Sequence, residues 1–260
     1  MLTFDRRSKI LNIIAENGSA GVSELAQQLG ASESTIRRDL VELAAAGKID
    51  KVHGGAMLKS QEFINREDTI SVKVKKNYEE KLLIAEYAAS LINDSDYVFI
   101  DAGSTTFLMT RFISGSKATF ITNGISQATE LAKNGCRVMV LGGELKDATG
   151  AIVGAVAAKN LQKYNFSKVF IGANGITTKQ GVTTTDTSEA IIKAVAVEHS
   201  FVSYVLADSS KFGKVSAVTA VQADSSCIIC GSCPDDEIKR KTVVKEVGAG
   251  DLHSNLKSGS

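Results

Sequence analysis

Residues 22–56 constrain the fold of this chain more than any other stretch. A short helix is predicted from Ser23, an N-cap candidate, to Leu29, where Gly30 ends it. A second helix is predicted to begin after another N-cap candidate, Ser32, and to end at Gly47. Isoleucines at helical spacing predict an earlier helix over residues 6–16. Three consecutive helices with short turns indicate a small helical DNA-binding or protein-binding module.

A glycine-ended hairpin follows these helices. Residues 48–57 alternate in the manner of two short strands that turn on Gly54 and Gly55. Three helices followed by such a hairpin predict a winged helix-turn-helix, which we assign to residues 1–57.

The helix after Ser32 has one apolar face and one polar face. Ile36, Leu40 and Leu43 share a stripe at about 100° per residue, which leaves two arginines on the outside. We expect Arg38 to contact a base and Arg37 a phosphate, because the guanidinium fork suits both. The predicted DNA-contacting residues are Ser34, Thr35, Arg37, Arg38, Lys51, His53 and Gly54. The alternative is a winged helix used for protein contacts, with both arginines merely solvated.

Bulk charge does not support nucleic-acid binding on its own. The net charge is +1, and over residues 1–60 eight Lys or Arg stand against seven Asp or Glu. The DNA hypothesis therefore depends on where the two arginines are placed.

The rest of the chain predicts a second, larger domain of the α/β class. The apolar runs YVFID, ATFIT, RVMVL, KVFIG and YVLAD have strand length, and several are followed by helical stretches. Nearly continuous apolar strands alternating with helices predict a parallel sheet covered on both faces. We place this domain at residues 76–250, beginning with a helix over 76–92, after a polar linker at 58–75 and before a disordered tail at 251–260.

Small and polar residues follow these strands, and such loops gather at one edge of a parallel sheet, where ligands bind. The sequence Gly103-Ser104-Thr105-Thr106 leads into a helix, and its N–H groups and hydroxyls predict a phosphate site. Lys211 would add a positive charge, and sugar hydroxyls would bond to Asp101, Asn123 and Glu189. A glycine pair or GST turn after a strand is also common without any ligand.

Three of the four cysteines lie in Cys227-Ile-Ile-Cys230-Gly-Ser-Cys233. This spacing can hold zinc or an iron–sulfur cluster, but it also fits a short buried strand that points Cys227 and Cys230 to opposite faces. A fourth nearby ligand is missing from the sequence, so we predict inert cysteines, no metal and no cofactor. The chain has no apolar run of membrane-spanning length and no signal-peptide core, which predicts a cytoplasmic protein without membrane contact.

The motif Ser34-Thr35-Ile36-Arg37-Arg38-Asp39-Leu40, with His53-Gly54-Gly55-Ala56, closely resembles the helix-turn-helix signature of the DeoR family of bacterial regulators. The resemblance continues to about residue 231. It implies a transcriptional repressor of a carbohydrate-utilisation operon whose second domain senses a phosphorylated sugar and resembles ribose-5-phosphate isomerase in fold. It also implies that the segments DAGSTT, TN, GG and DSSKFG border the effector pocket, which adds Gly142 and Gly143, and it suggests Asp186 and Glu189.

Within the family, GGELKDATGAIVG, FIGANGI and GVTTTDTSEA look most similar to fructose-operon repressors, which implies fructose 1-phosphate as the effector. Tagatose, galactitol or other ketose phosphates are alternatives. Double-stranded operator DNA is the expected partner, bound by a homodimer or homotetramer that matches repeated half-sites. Two alternative functions are a sugar-phosphate isomerase that uses Asp101 and Glu189 as an acid/base pair and a ligand-free oligomerising DNA-binding protein. We expect a non-enzyme.

Overall fold

The computed structural model describes residues 3–58 and 62–248, without the side chains of Phe4 and Leu58. The chain divides into two compact units, Met1–Gln61 and Glu62–Ser260. The predicted tail at 251–260 and residues 59–61 of the predicted linker lie outside the described residues.

The first unit is a winged helix-turn-helix. Its elements are α1 (Thr3–Asn17), β1 (Ser19–Gly21), α2 (Val22–Leu29), α3 (Glu33–Ala45), β2 (Ile49–Val52) and β3 (Gly55–Leu58). The wing strands β2 and β3 are antiparallel, and β1, which the sequence analysis missed, pairs with the outer side of β3. Ser32 caps α3 as predicted, but α2 begins at Val22 after Gly21, so the assignment of Ser23 as an N-cap was wrong.

The core of the first unit confirms the apolar stripe. Ile36, Leu40 and Leu43 of α3 are buried together with Ile10 and Ile14 of α1. Burial of these side chains fixes which face of α3 points outward, because residues three and four apart share one side of a helix.

The second unit begins at residue 62. Its elements are, in chain order, β4 (Glu62–Ile64), α4 (Ile70–Lys75), α5 (Tyr78–Ser90), β5 (Tyr97–Ile100), α6 (Ser104–Thr110), β6 (Thr119–Thr122), α7 (Ile125–Lys133), β7 (Arg137–Val140), β8 (Glu144–Lys146), β9 (Ala151–Val153), α8 (Ala155–Leu161), β10 (Phe166–Gly172), β11 (Gly175–Thr177), β12 (Gly181–Thr184), α9 (Thr187–Glu198), β13 (Ser200–Ala207), a 3-10 turn (Ser209–Lys211), β14 (Lys214–Ser216), β15 (Val218–Val221), β16 (Cys227–Cys230), α10 (Asp236–Lys241) and β17 (Val244–Glu246).

A parallel sheet forms the centre of this unit, in the order β17-β16-β13-β10-β5-β6-β7. The five apolar runs chosen from the sequence are all strands of it. Neighbouring side chains enter opposite clusters: Phe99 and Ile171 lie in one, Ile100 and Phe170 in the other. Both faces of the sheet are therefore buried, which confirms the predicted α/β class.

The segment predicted as a linker is instead part of the second unit from residue 62 onward. Strand β4 pairs in parallel with β14, and residues 70–75 form α4. The helix expected over 76–92 starts later, at Tyr78, because Asn77 adopts a left-handed conformation (φ 51°) that separates α4 from α5. Neither β4 nor α4 was predicted, because the segment is polar and both elements are held by contacts with residues far along the chain.

Across residues 3–58 and 62–248, no helix is long and apolar enough to cross a membrane. Polar and charged side chains interrupt even the longest helix, α1.

Candidate DNA-binding face and effector cavity

The outward face of α3 carries the two arginines in different states. Arg37 is engaged, because its guanidinium lies 2.8 Å from the Glu33 carboxylate one turn earlier. Arg38 is exposed and makes no hydrogen bond or ion pair with any residue that the structure describes. The N–H donors of Arg38 are therefore available to a ligand, whereas the Arg37 guanidinium already shares its donors with Glu33.

The start of α3 is held by a group of hydroxyls. Ser32 Oγ accepts a hydrogen bond from the backbone N–H of Thr35 at 3.2 Å. Ser34 Oγ and Thr35 Oγ1 lie 2.9 and 2.8 Å from the same oxygen. Ser34 is exposed and Thr35 half-buried, so Ser34 is the more accessible of these two predicted contacts.

A buried carboxylate that the sequence analysis missed connects α3 to α1. Asp39 is 2% exposed and accepts hydrogen bonds from Arg6 Nε at 2.5 Å and Arg7 Nε at 3.0 Å. Burial would raise the pKa of Asp39, but the hydrogen bonds and charges of the two arginines outweigh it and lower that pKa. Arg7 also pairs with Glu42 at 2.5 Å. The carboxylate is therefore ionised and fixes the two helices together.

The wing presents its predicted residues to solvent. Lys51, His53 and Gly54 are all exposed, and Gly54 has a φ of +82°, which suits a glycine at the turn. Gly55 lies against β1: a Cβ there would stand 2.3 Å from the carbonyl oxygen of Ala20. The glycine pair therefore has two separate structural reasons, a left-handed turn and a close approach of strands.

A small cleft with a volume of about 40 Å³ opens in the second unit. Going along the chain, the strands proceed from β5 to β6 and β7, then return to β10 on the other side of β5. The cleft lies at this switch point, over the ends of β5 and β10, where open parallel sheets bind ligands. Its lining residues are Ile70, Lys73, Ala102, Gly103, Ser104, Thr105, Thr149, Gly172, Ala173, Asn174, Glu189, Lys193, Leu206 and Lys211.

Three lysines line the cleft, each with a carboxylate beside it. Lys73 Nζ lies 2.6 Å from Glu67, and the buried Lys193 ammonium bonds to Asp101. Lys211 Nζ is only loosely paired, 4.0 Å from Asp208. Burial lowers the pKa of Lys211, and the nearby charge of Lys73 lowers it further against the opposing effect of Asp208. An anion entering the cleft would relieve this repulsion.

The predicted GSTT loop is only partly a cleft surface. Gly103, Ser104 and Thr105 line it, whereas Thr106 is fully buried and does not. Thr106 Oγ1 accepts from Gly103 N at 2.9 Å and donates to the carbonyl of Asp101 at 2.6 Å. Thr106 therefore shapes the loop from beneath.

Asp101 and Asn123 are also turned toward the protein. Besides Lys193, Asp101 accepts from the backbone N–H of Gly172 at 3.1 Å, which joins the ends of β5 and β10. Asn123 is 1% exposed, accepts from Ala102 N at 3.0 Å and donates to the carbonyl of Ile152. Neither lines the cleft.

Three more predicted effector contacts lie away from the cleft lining. Gly142 and Gly143 follow β7, and a Cβ on Gly143 would stand 2.6 Å from the carbonyl oxygen of Val153, so this glycine allows close packing. Asp186 caps α9 by accepting from the backbone N–H of Glu189 at 2.9 Å. Glu189 and Lys211 do line the cleft.

Sequence reasoning missed several lining residues, notably Lys73, Lys193, Asn174 and Thr149. Lys73 lies in the segment taken for a linker, and Lys193 sits in the middle of α9, where a lysine is typical of a solvated face. Asn174 belongs to the loop GANG after β10, for which the sequence analysis predicts no effector contact. Only the fold shows that these groups converge.

The first part of the cysteine run, Cys227–Cys230, forms strand β16, as the buried-strand interpretation predicted, and Cys233 follows the strand. Cys230 and Cys233 are buried, and burial raises the pKa of the Cys230 thiol to about 12. Within the described parts of the chain, no cluster of three or more His, Cys, Asp or Glu side chains is arranged to hold a metal ion. Both buried thiols pack in the apolar cluster on one side of the sheet.

Two family models match this chain, one on each unit. The model of the DeoR-like helix-turn-helix domain matches residues 6–62, and that of the DeoR C terminal sensor domain matches residues 76–230. Together they cover most of the sequence.

Three relatives similar over most of this chain are named as transcriptional regulators or repressors. An uncharacterized HTH-type transcriptional regulator, FruR, of Bacillus subtilis is 39% identical over 95% of this chain and 99% of its own length. A lactose phosphotransferase system repressor of Staphylococcus epidermidis is 37% identical over 82% of this chain and 86% of its own. The HTH-type transcriptional regulator GlpR of Haloferax volcanii is 34% identical, covering 84% of this chain and 85% of that protein.

Among solved structures, ribose 5-phosphate isomerase a from Methanocaldococcus jannaschii aligns with 53% of this chain and 55% of its own, at 16% identity and a TM-score of 0.40. A likeness at this level supports no statement about activity.

Proposed function

This chain belongs to the DeoR family of DNA-binding transcriptional regulators, and we propose that it represses a carbohydrate-utilisation operon until a phosphorylated sugar fills the cleft. The observation that carries the proposal is the pairing, in one chain, of an outward arginine on α3 with a lysine-lined cleft at the switch point of a parallel sheet.

Operator binding is supported by exposed polar and charged groups on the first unit. Arg38 and Ser34 are exposed on α3, and Lys51 and His53 on the wing. A recognition helix reads base edges in the major groove while neighbouring groups contact the backbone. We assign base contact to Arg38 and phosphate contact to Arg37, Lys51 and His53.

Effector binding is supported by charge and polarity in the cleft. Lys73, Lys193 and Lys211 favour an anionic group, and Ser104 and Asn174 offer partners for hydroxyls. A sugar phosphate combines these two features in one small molecule. We propose fructose 1-phosphate as the first candidate, with other ketose phosphates as alternatives.

A catalytic role is not part of the proposal. An isomerase would need a carboxylate free to take a proton from carbon. Asp101 is instead bonded to Lys193, and Glu189 accepts from Lys146 and Thr149, both at 2.9 Å. The relatives compared above are named as regulators and repressors. We further propose a cytoplasmic homodimer or homotetramer, since two recognition helices would read two half-sites.

One titration tests the proposal. The purified protein is titrated onto DNA from upstream of its own gene, and the complex is challenged with fructose 1-phosphate, tagatose phosphates, galactitol phosphate and the unphosphorylated sugars. We expect a sugar phosphate to weaken operator binding by about 5–150-fold, the range of a typical allosteric coupling. Lys211→Ala and Ser104→Ala should retain operator binding and show a smaller response.

Two results would count against it. Absence of sequence-specific binding would remove the DNA assignment. A response of both variants equal to that of the wild type would remove the cleft as the effector site.

A further inference from the structure

One segment, residues 62–77, runs past the cleft and is attached to it at several points; we call it the strap. At its start, β4 pairs with β14, a few residues after Lys211. At its end, Asn77 Nδ2 donates to Asp208 Oδ1 at 2.7 Å. In between, the N–H of Ile70 donates to the carbonyl of Ala148 at 3.2 Å. The strap therefore touches two separate loops at the cleft, around residues 146–149 and 208–216.

Glu67 is the central ionic contact of the strap. Its side chain is 12% exposed and accepts from Lys73 Nζ at 2.6 Å and from Lys146 Nζ at 2.7 Å. Burial would raise the pKa of Glu67, but the hydrogen bonds from Lys146 and Lys73 lower it to about 2. Lys146 in turn bonds to Glu189, which lines the cleft. The Glu67 carboxylate is thus charged and forms one ion pair within the strap, with Lys73, and one with Lys146 outside it.

The backbone of Lys73 is bound by a buried lysine, while its side chain lines the cleft. The buried ammonium of Lys81 donates to the Lys73 carbonyl at 2.5 Å and stands 3.6 Å from Asp208. Lys73 lines the cleft together with Lys211, and its positive charge acts on that lysine. The ammonium groups of Lys73 and Lys211 share this part of the cleft. Among the residues that the structure describes, Asp208, 4.0 Å away, is the only ion-pair partner of Lys211.

We propose that Lys73 is a direct ligand of the effector's anionic group and that Glu67 is its counter-ion when the cleft is empty. A phosphate group carries close to two negative charges near neutral pH, one more than a carboxylate, so it competes for the Lys73 ammonium. Binding then weakens the Glu67–Lys73 ion pair and loosens α4. Because the strap is the first segment after residue 61, the change arises in the stretch of chain that follows the DNA-binding unit.

This inference rests on the proposed function, but its test does not need the natural effector. Phosphate and fructose 1-phosphate are titrated separately into the full-length protein by calorimetry. Lys73→Met should raise the Kd of both by at least tenfold. Lys75→Met is the matched control: it removes the same charge from an exposed position of α4 that does not line the cleft, and both Kd values should stay within twofold.

A second variant covers the case in which Lys73→Met disturbs folding. Glu67→Gln removes the competing charge while keeping the shape, so it should lower the Kd for phosphate several-fold. Hydrogen exchange reports on the strap itself. The amides of residues 62–77 should exchange faster in the wild type when phosphate is bound, although bound ligands normally slow exchange nearby.

The outcomes separate this inference from the proposed function. Equal phosphate affinity in Lys73→Met and Lys75→Met overturns the role of Lys73, even if a sugar phosphate still releases operator DNA. Loss of phosphate affinity in Lys73→Met but not in Lys75→Met supports the role of Lys73, even if no sugar phosphate in the panel releases operator DNA. Slower strap exchange with phosphate overturns the loosening, and absence of phosphate binding by the wild type overturns the assignment together with the cleft as effector site.

Discussion

Replacing Arg38 by alanine should separate specific from non-specific DNA binding. The guanidinium is exposed and has no partner among the described residues, so the substitution breaks no bond that the structure shows within the protein. The buried stripe of Ile36, Leu40 and Leu43 is untouched, and a surface change of this kind normally alters stability by about 0.5 kcal/mol or less. Any effect on binding is therefore an effect on the contact.

The size of that effect follows from the contact that Arg38 is proposed to make. A bidentate arginine–guanine pair discriminates by about 1–3 kcal/mol. At about 1.4 kcal/mol per tenfold, this corresponds to a rise of roughly 5–150-fold in the Kd for operator DNA. Binding to scrambled DNA should change far less, since it depends on phosphates.

Arg37→Ala is the matched comparison, because Arg37 is the neighbouring arginine on the same helix. Its guanidinium is shared with Glu33 at 2.8 Å, and we assign it to a phosphate. Its loss should weaken operator and scrambled DNA alike and reduce the slope of log Kd against log salt by about 0.9.

Fluorescence anisotropy with both DNA sequences at three or more salt concentrations measures these quantities. The reasoning is refuted if Arg38→Ala keeps wild-type preference for the operator, or if it weakens scrambled DNA as much as the operator. A preference lost in Arg37→Ala instead would mean that the two roles are exchanged.

Two further expectations concern the wing and the strap. Gly55→Ala should destabilise the wing by about 3 kcal/mol, because its Cβ would meet the backbone of Ala20. Gly54→Ala should cost about 1 kcal/mol, because its surroundings are open and the cost comes from a left-handed φ alone. Hydrogen exchange of the β1 and β3 amides distinguishes the two variants, and equal protection in both would contradict the packing argument. The pKa of Glu67 is lowered from 4.5 to about 2, so its carboxylate stabilises the fold above pH 4.5 and loses that effect as the pH falls toward 2. The difference in Tm between the wild type and Glu67→Gln should thus be constant above pH 5 and shrink between pH 4.5 and 3; a difference that grows on acidification would show the opposite sign.

The recognition helix and the parallel sheet could be predicted because their signals are local. The Ser32 cap and the stripe from Ile36 to Leu43 lie within one helix, and each apolar run of the sheet is continuous in sequence. Buried faces then follow from periodicity alone.

The cleft could be predicted only in part, because its charges come from elements whose position depends on the whole fold. Ser104, Glu189 and Lys211 line one cleft, and their contact with an effector stays a prediction. Lys73 was not predicted, since β4 and α4 have weak local signals and are fixed by pairing with residues far along the chain. For Thr106 the error is the opposite one, because a predicted effector contact proves to be buried. Its hydroxyl bonds to the backbone of Gly103 and Asp101 and does not line the cleft.

The pairing of β4 with β14 has a consequence for the order of events during synthesis. Residues 62–64 find their partner strand only at residues 214–216, whereas the strands of the first unit pair with one another, and its core packs together, within residues 3–58. Domains generally fold from the N-terminus as they leave the ribosome. The DNA-binding unit can therefore be complete while the strap that follows it still lacks its partner strand. During that interval the face of α3 that we propose for DNA contact is already folded, whereas the cleft that we propose for the effector is not yet closed by its strap.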